Sequence, residues 1–570
     1  MTAFKFVFVV SLLAGLAACG GGGGSSDVAN TPTPSSLTLT GVAATGAAIS
    51  EGTVEAKCAT GTGSSTTATD GTYSVVVTNG EAPCLLKATD PVTNSTYYSA
   101  AEKGASIANI SPLTQLVIAN ALGDSPETVY QNFSATQQAK ITSSSITTAV
   151  TRIQAASSAL GTDTDVTGID VMKGTLVAAN GNTAGNALDM RIDALVAALA
   201  SADKRISDLE AQLKSANTSN DAISKMQTVA GSAVNSLEGC AYARNGAVWS
   251  IDSLGNAPVI LDMNFQAMTA TSRLNGTVMP MSIKRDASNN PVKCAFTLTD
   301  TDDREVEFHI SKSSTGVWKK STDFGIGVPV QTSYELADEA LLGDYAVSAF
   351  LMDKQTSERD ASPLRISVSS GGAMTMYACD LTKPTPDCSQ KLDSSGNSDL
   401  TCTSLSNGSA SCTSPAGAQV SMVKYVIGGQ PSIFMSITNM PVGNSSYKGL
   451  FIFTKTSKLM LPEVGQTRAA GSSWFVGVDS GSTTVVSGNT YAMTVESVDT
   501  ASSSYVTSTS GSTTTLTRYA NVPATGFTYS IGTSSKGVGM GSSAGGWSVY
   551  MAKPNSSSNY DGWYFYAKTP

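Results

Sequence analysis

Residues 66–79 read TTATDGTYSVVVTN. Asp70-Gly71 is a turn dipeptide, and beyond it polar and apolar residues alternate, so that Tyr73, Val75 and Val77 share one face of a strand. Similar short runs lie on both sides: LTLTGVAATG at 37–46, GTVEAKC at 52–58 and APCLLKAT at 82–89. Glycine, Asp-Gly and Asn-Gly punctuate them, as hairpin connections require. Residues 37–106 are therefore expected to be strands and turns throughout.

The order GVAATGAAISEGTVEAKC (41–58) followed by TATDGTYSVVV (67–77) resembles the carboxypeptidase regulatory-like domain. The resemblance covers about seventy residues and implies a transthyretin-like β-sandwich. Modules of this kind are structural or adhesive spacers on exported proteins, and no catalytic residue carries over from them.

From 107 to 238 the pattern turns helical. SPLTQLVIANALG (111–123) opens on a capping serine, has Pro112 at the first helical position and closes on Gly123. SPETVYQNF repeats the Ser-Pro start, and Ser134 to Gln137 reads as a capping box for a helix ending near Leu160-Gly161. Leu188, Ile192, Leu195, Leu199, Ala202, Ile206, Leu209 and Leu213 then recur at alternating steps of four and three. That spacing predicts one long helix with a heptad seam, which pairs as a coiled coil or packs against helices of its own chain. DTDVTGID (163–170) starts like a calcium loop at Asp163, Asp165, Thr167 and Gly168, but its twelfth position is Gly174 instead of a glutamate. It reads as an Asp-rich turn.

The remainder is β again, as a smaller domain at 239–332 and a larger antiparallel one at 340–570. In REVEFHISK (304–312), Val306, Phe308 and Ile310 share the core face. His309 is thereby placed with Glu305 and Glu307 on the solvent side. GWSVYMAKP (546–554) and GWYFYAKTP (562–570) look like copies joined as a hairpin, with Trp547 and Trp563 capping a core. The whole reads as a multidomain, mainly β chain: an N-terminal β-sandwich, a central helical bundle and C-terminal antiparallel sandwich or barrel domains.

The N-terminus specifies location. Lys5, a short apolar run and the small residues Leu16-Ala17-Ala18-Cys19 describe a secretory signal at 1–18. LAAC resembles the lipobox of bacterial lipoproteins, which implies cleavage before Cys19 and acylation of it. Two or more acyl chains hold a membrane stably where one does not, at about 0.8 kcal/mol per buried methylene. Gly20 after the cysteine implies, by the same resemblance, the outer membrane, with the face undetermined. The Gly/Ser/Pro segment 19–36 is then a flexible tether reaching roughly 22–25 Å.

Composition agrees with export. Of 570 residues only 14% are charged, the formal charge is −9, and no basic cluster points to nucleic acid. Nine cysteines less Cys19 leave eight, a number suited to disulfides in an oxidising compartment. Their grouping pairs Cys58 with Cys84 and Cys240 with Cys294. The last four pair as Cys379–Cys388 and Cys402–Cys412, or nest as Cys379–Cys412 and Cys388–Cys402. With one histidine and no C-x-x-C, neither a metal nor another cofactor is implied.

No catalytic motif has its required context. GSSAG (541–545) matches a nucleophile elbow at Ser543, yet His309 is the only histidine and lies far upstream. Ser421 to Lys424 matches S-x-x-K but sits in an alternating strand. The expectation is a non-enzymatic lipoprotein with a binding, adhesive or structural role. Its partners are the membrane, through lipid on Cys19, and a protein or glycan ligand at the C-terminal β-domain. The alternative is an exported hydrolase acting on polymers with carboxylates of that domain.

Overall fold

Residues 72–78 form a strand in which every second side chain is buried, starting with Tyr73. The computed structural model describes residues 36–570 except 181–184, 232–239, 241–242, 244, 301–303, 312, 322, 333–341, 370–373, 384, 392–399, 406–407, 429, 443, 460, 469–471, 480–481, 490–492, 510–514, 533–534, 543–546, 555–561 and 569–570. Cys19, the lipobox, Ser543 and the loop between the last two strands thus lie outside the described residues.

Six strands open the described chain: β1 (Ser36–Val42), β2 (Thr53–Thr60), β3 (Thr62–Thr66), β4 (Thr72–Thr78), β5 (Glu81–Thr89) and β6 (Thr96–Ala101). β1 pairs with β4, while β3, β2, β5 and β6 form a second sheet. Leu39, Tyr73, Val75 and Val77 of one sheet meet Val54, Ala56 and Leu86 of the other in one buried cluster. The turn into β4 needs glycine. Gly71 has φ +82°, and a Cβ there would stand 2.5 Å from the Ala43 carbonyl oxygen.

Among the described residues, seven α-helices follow: α1 (Pro112–Leu122), α2 (Pro126–Gln131), α3 (Ala135–Gln138), α4 (Ser143–Ser158), α5 (Ala187–Ser201), α6 (Ile206–Leu213) and α7 (Ser219–Ala230). α1 starts with a capping box between Ser111 and Thr114 and ends on Gly123 in the left-handed region. It is apolar nearly all round, and it is correspondingly buried nearly all round. Ser134 caps only the four-residue α3 and makes no side-chain cap bond. The capping box of the longer helix is Thr142 with Ser145 instead.

The heptad seam is not one helix. The chain breaks between α5 and α6, where Asp203 takes φ +56°. Two carboxylates hold the break. Asp208 accepts from the Arg205 backbone at 2.8 Å, and Asp203 accepts from both the Thr332 backbone and its hydroxyl at 2.7 Å. Leu188, Ile192, Leu195, Leu199, Leu209 and Leu213 all turn into the interior of their own chain. Burial of each contributes about 1.5–3 kcal/mol, so the stripe is spent on the intramolecular core.

Eight further strands close on themselves: β7 (Gly246–Asp252), β8 (Val259–Asn264), β9 (Thr269–Ser272), β10 (Val278–Arg285), β11 (Pro291–Thr299), β12 (Glu305–Ile310), β13 (Gly316–Lys320) and β14 (Asp323–Pro329). Each pairs antiparallel with its neighbour, and β14 returns to β7 with Ile326 opposite Ile251 and Val328 opposite Trp249. The segment expected as one antiparallel β-domain from 340 forms two sheets, one of nine strands spanning 343–455 and one of ten spanning 467–568. The last two strands do pair as a hairpin, with Met551 opposite Trp563. Trp547 and Trp563 are both buried.

These layers share a core. Leu116, Ile153 and Leu195 of the helices, Trp249 and Ile326 from the outside of the barrel, Phe350 and Ile452 of the nine-stranded sheet, and Val549 and Trp563 of the ten-stranded sheet belong to one buried cluster. Gln331 ties three of the parts polar-wise. Its amide donates to the Ala200 carbonyl at 2.9 Å and the Val426 carbonyl at 3.0 Å, and accepts from the Val426 N–H at 2.7 Å. Residues 36–570 therefore make one compact unit.

Four disulfides staple it: Cys58–Cys84, Cys240–Cys294, Cys379–Cys388 and Cys402–Cys412. The sequential arrangement of the last four is the one formed. Cys402 and Cys412 are direct cross-strand partners, which excludes nesting.

His309 corrects the strand reading. It lies on the outer face of β12, as the alternation requires, yet it is only 2% exposed. The sequence pattern identifies two faces of a strand; in a barrel packed within a larger body, the outer face is buried as well. His309 Nε2 donates to Glu307 Oε1 at 2.6 Å, and Lys284 Nζ donates to Glu307 Oε2 at 3.0 Å.

Candidate functional site

Alternation through the barrel divides its side chains cleanly. Trp249, Ile251, Val317, Phe324, Ile326 and Val328 point outward into the shared core, while Leu261, Met279, Leu298, Val306, Phe308 and Trp318 point inward. An eight-stranded barrel is just wide enough either to fill itself or to hold one small ligand. Here it does both, at different depths.

An aromatic floor fills the middle. Phe296 stacks on Phe308 with centroids 5.2 Å apart and planes 6° from parallel. Phe265 meets Phe296 edge-on at 5.4 Å, and Trp318 lies 6.3 Å from Phe308. Beneath this floor remains a void of about 50 Å³, reaching Ser201 at the end of α5. Above it opens a cavity of about 410 Å³, and Phe308 borders both.

The upper cavity exists because glycine occupies inward positions of β14. A Cβ on Gly325 would come within 2.4 Å of Trp318 Cε2 and Cζ2. Gly325 and Trp318 are register partners, and the missing side chain at 325 leaves room for the indole.

Two loops frame the mouth. The loop after β7 is braced from outside: Asn256 O accepts from the Ser436 hydroxyl at 2.6 Å. Gly255, at φ +76°, lies so close to the nine-stranded sheet that a Cβ would stand 2.1 Å from the Ile437 carbonyl oxygen. Asp252 anchors the same loop, accepting from the Asn256 backbone at 3.0 Å and its side-chain amide at 2.6 Å. The opposite loop, between β9 and β10, carries Leu274, which is 78% exposed although it lines the cavity. Below the lip, Asp300, Asp323 and Lys320 join Asp252 in the lining, with Lys320 ion-paired to Asp300.

This arrangement can hold a molecule. The histidine is on the far side of the barrel wall. Ser421 and Lys424 sit inside a strand, Gln419–Ile427, with Lys424 buried, and lack the helix start of an S-x-x-K site. Asp165 makes a local turn, accepting from the Thr167 backbone at 2.9 Å. Among the described residues no group of three or more His, Cys, Asp or Glu is arranged to hold a metal. Ser543, the elbow nucleophile that the sequence offers, lies outside the described residues. The sequence reading missed the lining of the barrel; its one local signal was the alternation of Gly325 and Gly327 in a strand facing Trp318.

No protein-family model matches this chain, and no curated protein matches it. Among solved structures, a protein of unknown function of the DUF3598 family from Nostoc punctiforme aligns over 40% of this chain and 96% of its own, at 10% identity and a TM-score of 0.15. A "putative outer membrane protein" from Bacteroides fragilis aligns over 41% and 100%, at 12% identity and a TM-score of 0.12. At such scores neither likeness bears on fold or function.

Proposed function

We propose that this chain is a non-catalytic binding lipoprotein of the bacterial outer membrane, held by lipid on Cys19 and binding a small molecule in the mouth of its eight-stranded barrel. The LAAC lipobox, the Gly/Ser tether and the disulfides support the anchored, exported part of this reading. The open cavity of about 410 Å³ carries the binding part. Its volume is in the range of small-molecule sites, roughly 300–1,000 Å³. Leu261, Met279, Leu298, Val306 and Phe308 give it an apolar wall, polar and charged groups share the rest of the lining, and the braced loop at 253–257 supports a preformed mouth. A preformed site saves the ordering cost that a flexible one incurs on binding.

The test uses Nile red, a neutral apolar dye, titrated into the full chain in detergent. Saturable binding is expected in the native protein. Met279→Trp, which fills the cavity from β10, is expected to weaken it at least tenfold while leaving the thermal transition in place. Equal binding by the two proteins, with the variant folded, rejects the barrel as the site. Metabolic labelling with palmitate, lost in Cys19→Ser, tests the anchor separately.

A further inference from the structure

A second cavity, of about 450 Å³, lies away from the barrel and shares no lining residue with the barrel's two chambers. Three parts of the body meet there. Asp90 comes from the loop after β5 of the N-terminal sandwich, and Gln430, Thr454 and Lys455 come from the nine-stranded sheet. Ser503 comes from a turn of the ten-stranded sheet.

The buried part of this lining is polar. Asp90 is 3% exposed, Thr454 6% and Lys455 8%. The hydroxyl of Thr454 makes no hydrogen bond with any described residue. Unlike Ser50 Oγ in the same lining, its oxygen keeps accessible surface. A polar group taken from bulk water is costly unless it is paired, so this hydroxyl is set for a partner that enters the cavity. Asp90 accepts from the Val92 N–H at 2.8 Å, the Thr93 hydroxyl at 2.9 Å and the Gln430 amide at 3.3 Å. A carboxylate has about four acceptor positions, which leaves one.

The charges of the lining cancel. Glu51 and Asp90 are matched by Lys455 and Lys458, and Lys458 Nζ donates to Glu51 Oε1 at 3.0 Å. The exposed rim adds the hydroxyls of Ser457, Ser503 and Thr525, and no aromatic side chain lines the space. An apolar molecule would strip water from these groups without replacing its hydrogen bonds. An ion would be desolvated against charges that already neutralise one another. A hydroxyl, which both donates and accepts, answers every group present.

We infer that this cavity binds a neutral polyhydroxylated molecule of hexose size, with one ligand hydroxyl bonded to Thr454 Oγ1. The volume is within the roughly 300–1,000 Å³ of small-molecule sites. The inference stands apart from the reading of the barrel as a ligand site.

Calorimetric titration of the full chain, in a detergent without a sugar headgroup, tests it. The probes are D-glucose, D-galactose and D-mannose, each beside its uronate and its 2-amino-2-deoxy form. At least one neutral sugar is expected to saturate, with both of its charged counterparts at least fivefold weaker. Thr454→Val should weaken that sugar about fivefold or more, as one lost hydrogen bond requires, and Thr454→Ser should restore it. Ser457→Trp, at the exposed rim, should obstruct the same space without disturbing the core. Met279→Trp, which fills the barrel, should leave sugar binding unchanged. Failure of all three neutral sugars overturns the inference. So does a charged form that binds as well as its neutral parent, or binding that survives both Thr454→Val and Ser457→Trp. Sugar binding abolished by Met279→Trp alone places the sugar in the barrel and likewise overturns it. If sugar binds as expected and Nile red does not, only the barrel reading falls.

Discussion

The indole Nε1 of Trp563 donates to Ser348 Oγ at 2.8 Å, and both groups are buried. This bond joins the last strand of the ten-stranded sheet to the nine-stranded sheet. The same ring lies 5.4 Å from Phe350 and 5.7 Å from Phe324 of the barrel. One side chain thus touches three sheets that are far apart in sequence.

Trp563→Ala is expected to cost about 3–5 kcal/mol, the sum of lost burial and an unfilled cavity. Trp563→Phe keeps most of the ring packing and orphans the Ser348 hydroxyl, for about 1–2 kcal/mol. Denaturant unfolding followed by circular dichroism measures both. Because the barrel and both sheets meet at this residue, barrel and sheet signals should shift together. A change confined to one of them contradicts the shared core.

Glu307 supplies a pH dependence. His309 donating to it holds its carboxyl at about 2, below the ordinary 4.5, and Lys284 adds to the effect. A folded value lower than the unfolded one means the stabilisation is complete above about pH 4.5 and is lost as pH falls toward 2. After discount for the partial exposure of the carboxylate, about 1–2 kcal/mol is at stake. Glu307→Gln should therefore show a smaller loss of stability between about pH 5.5 and pH 2.5 than the native chain. An identical loss in both places the acid sensitivity elsewhere.

Gly325→Ala tests the wall of the cavity. The new methyl would meet the Ile251 carbonyl oxygen at 2.2 Å and the Trp318 indole at 2.4 Å, so both the β7 backbone and the ring must give way. A destabilisation of about 1–3 kcal/mol is expected, together with weaker Nile red binding and a changed tryptophan emission. Unchanged dye affinity would show that the indole does not border the bound molecule.

Asp203→Ala removes the acceptor for Thr332 and leaves a side chain that tolerates φ +56° poorly. The loss is expected near 1–2 kcal/mol. Asp203→Gly loses the same bonds without the strain and should cost less. The reverse order would mean that the break between α5 and α6 is not held from the exit of the barrel.

The disulfides should rank by the loop each closes. Cys240–Cys294 spans 54 residues and Cys379–Cys388 spans 9. Chain entropy assigns them about 4 and about 2.5 kcal/mol. Paired serine variants measured by denaturant unfolding give the order directly.

Information carried over a few neighbouring residues was legible in the sequence. Ser111, Pro112 and Gly123 delimit α1 because capping is a local transaction between side chain and backbone. Tyr73, Val75 and Val77 identify a buried face because strand alternation has a period of two. Cysteines close in sequence paired with each other, and the mainly β class followed from the turns. The seam from Leu188 to Leu213 was legible as a buried stripe. That it is broken was not, since Asp203 is held by Thr332, more than a hundred residues later. Alternation told that His309 and Phe308 face opposite ways, but not that both ways are interior. Whether a strand's second face meets water depends on what the rest of the chain lays over it. Closure of β14 onto β7, the glycine wall behind Trp318 and the sheet that braces the mouth are likewise decided only by strands meeting across long separations, and the cavity is made by that meeting.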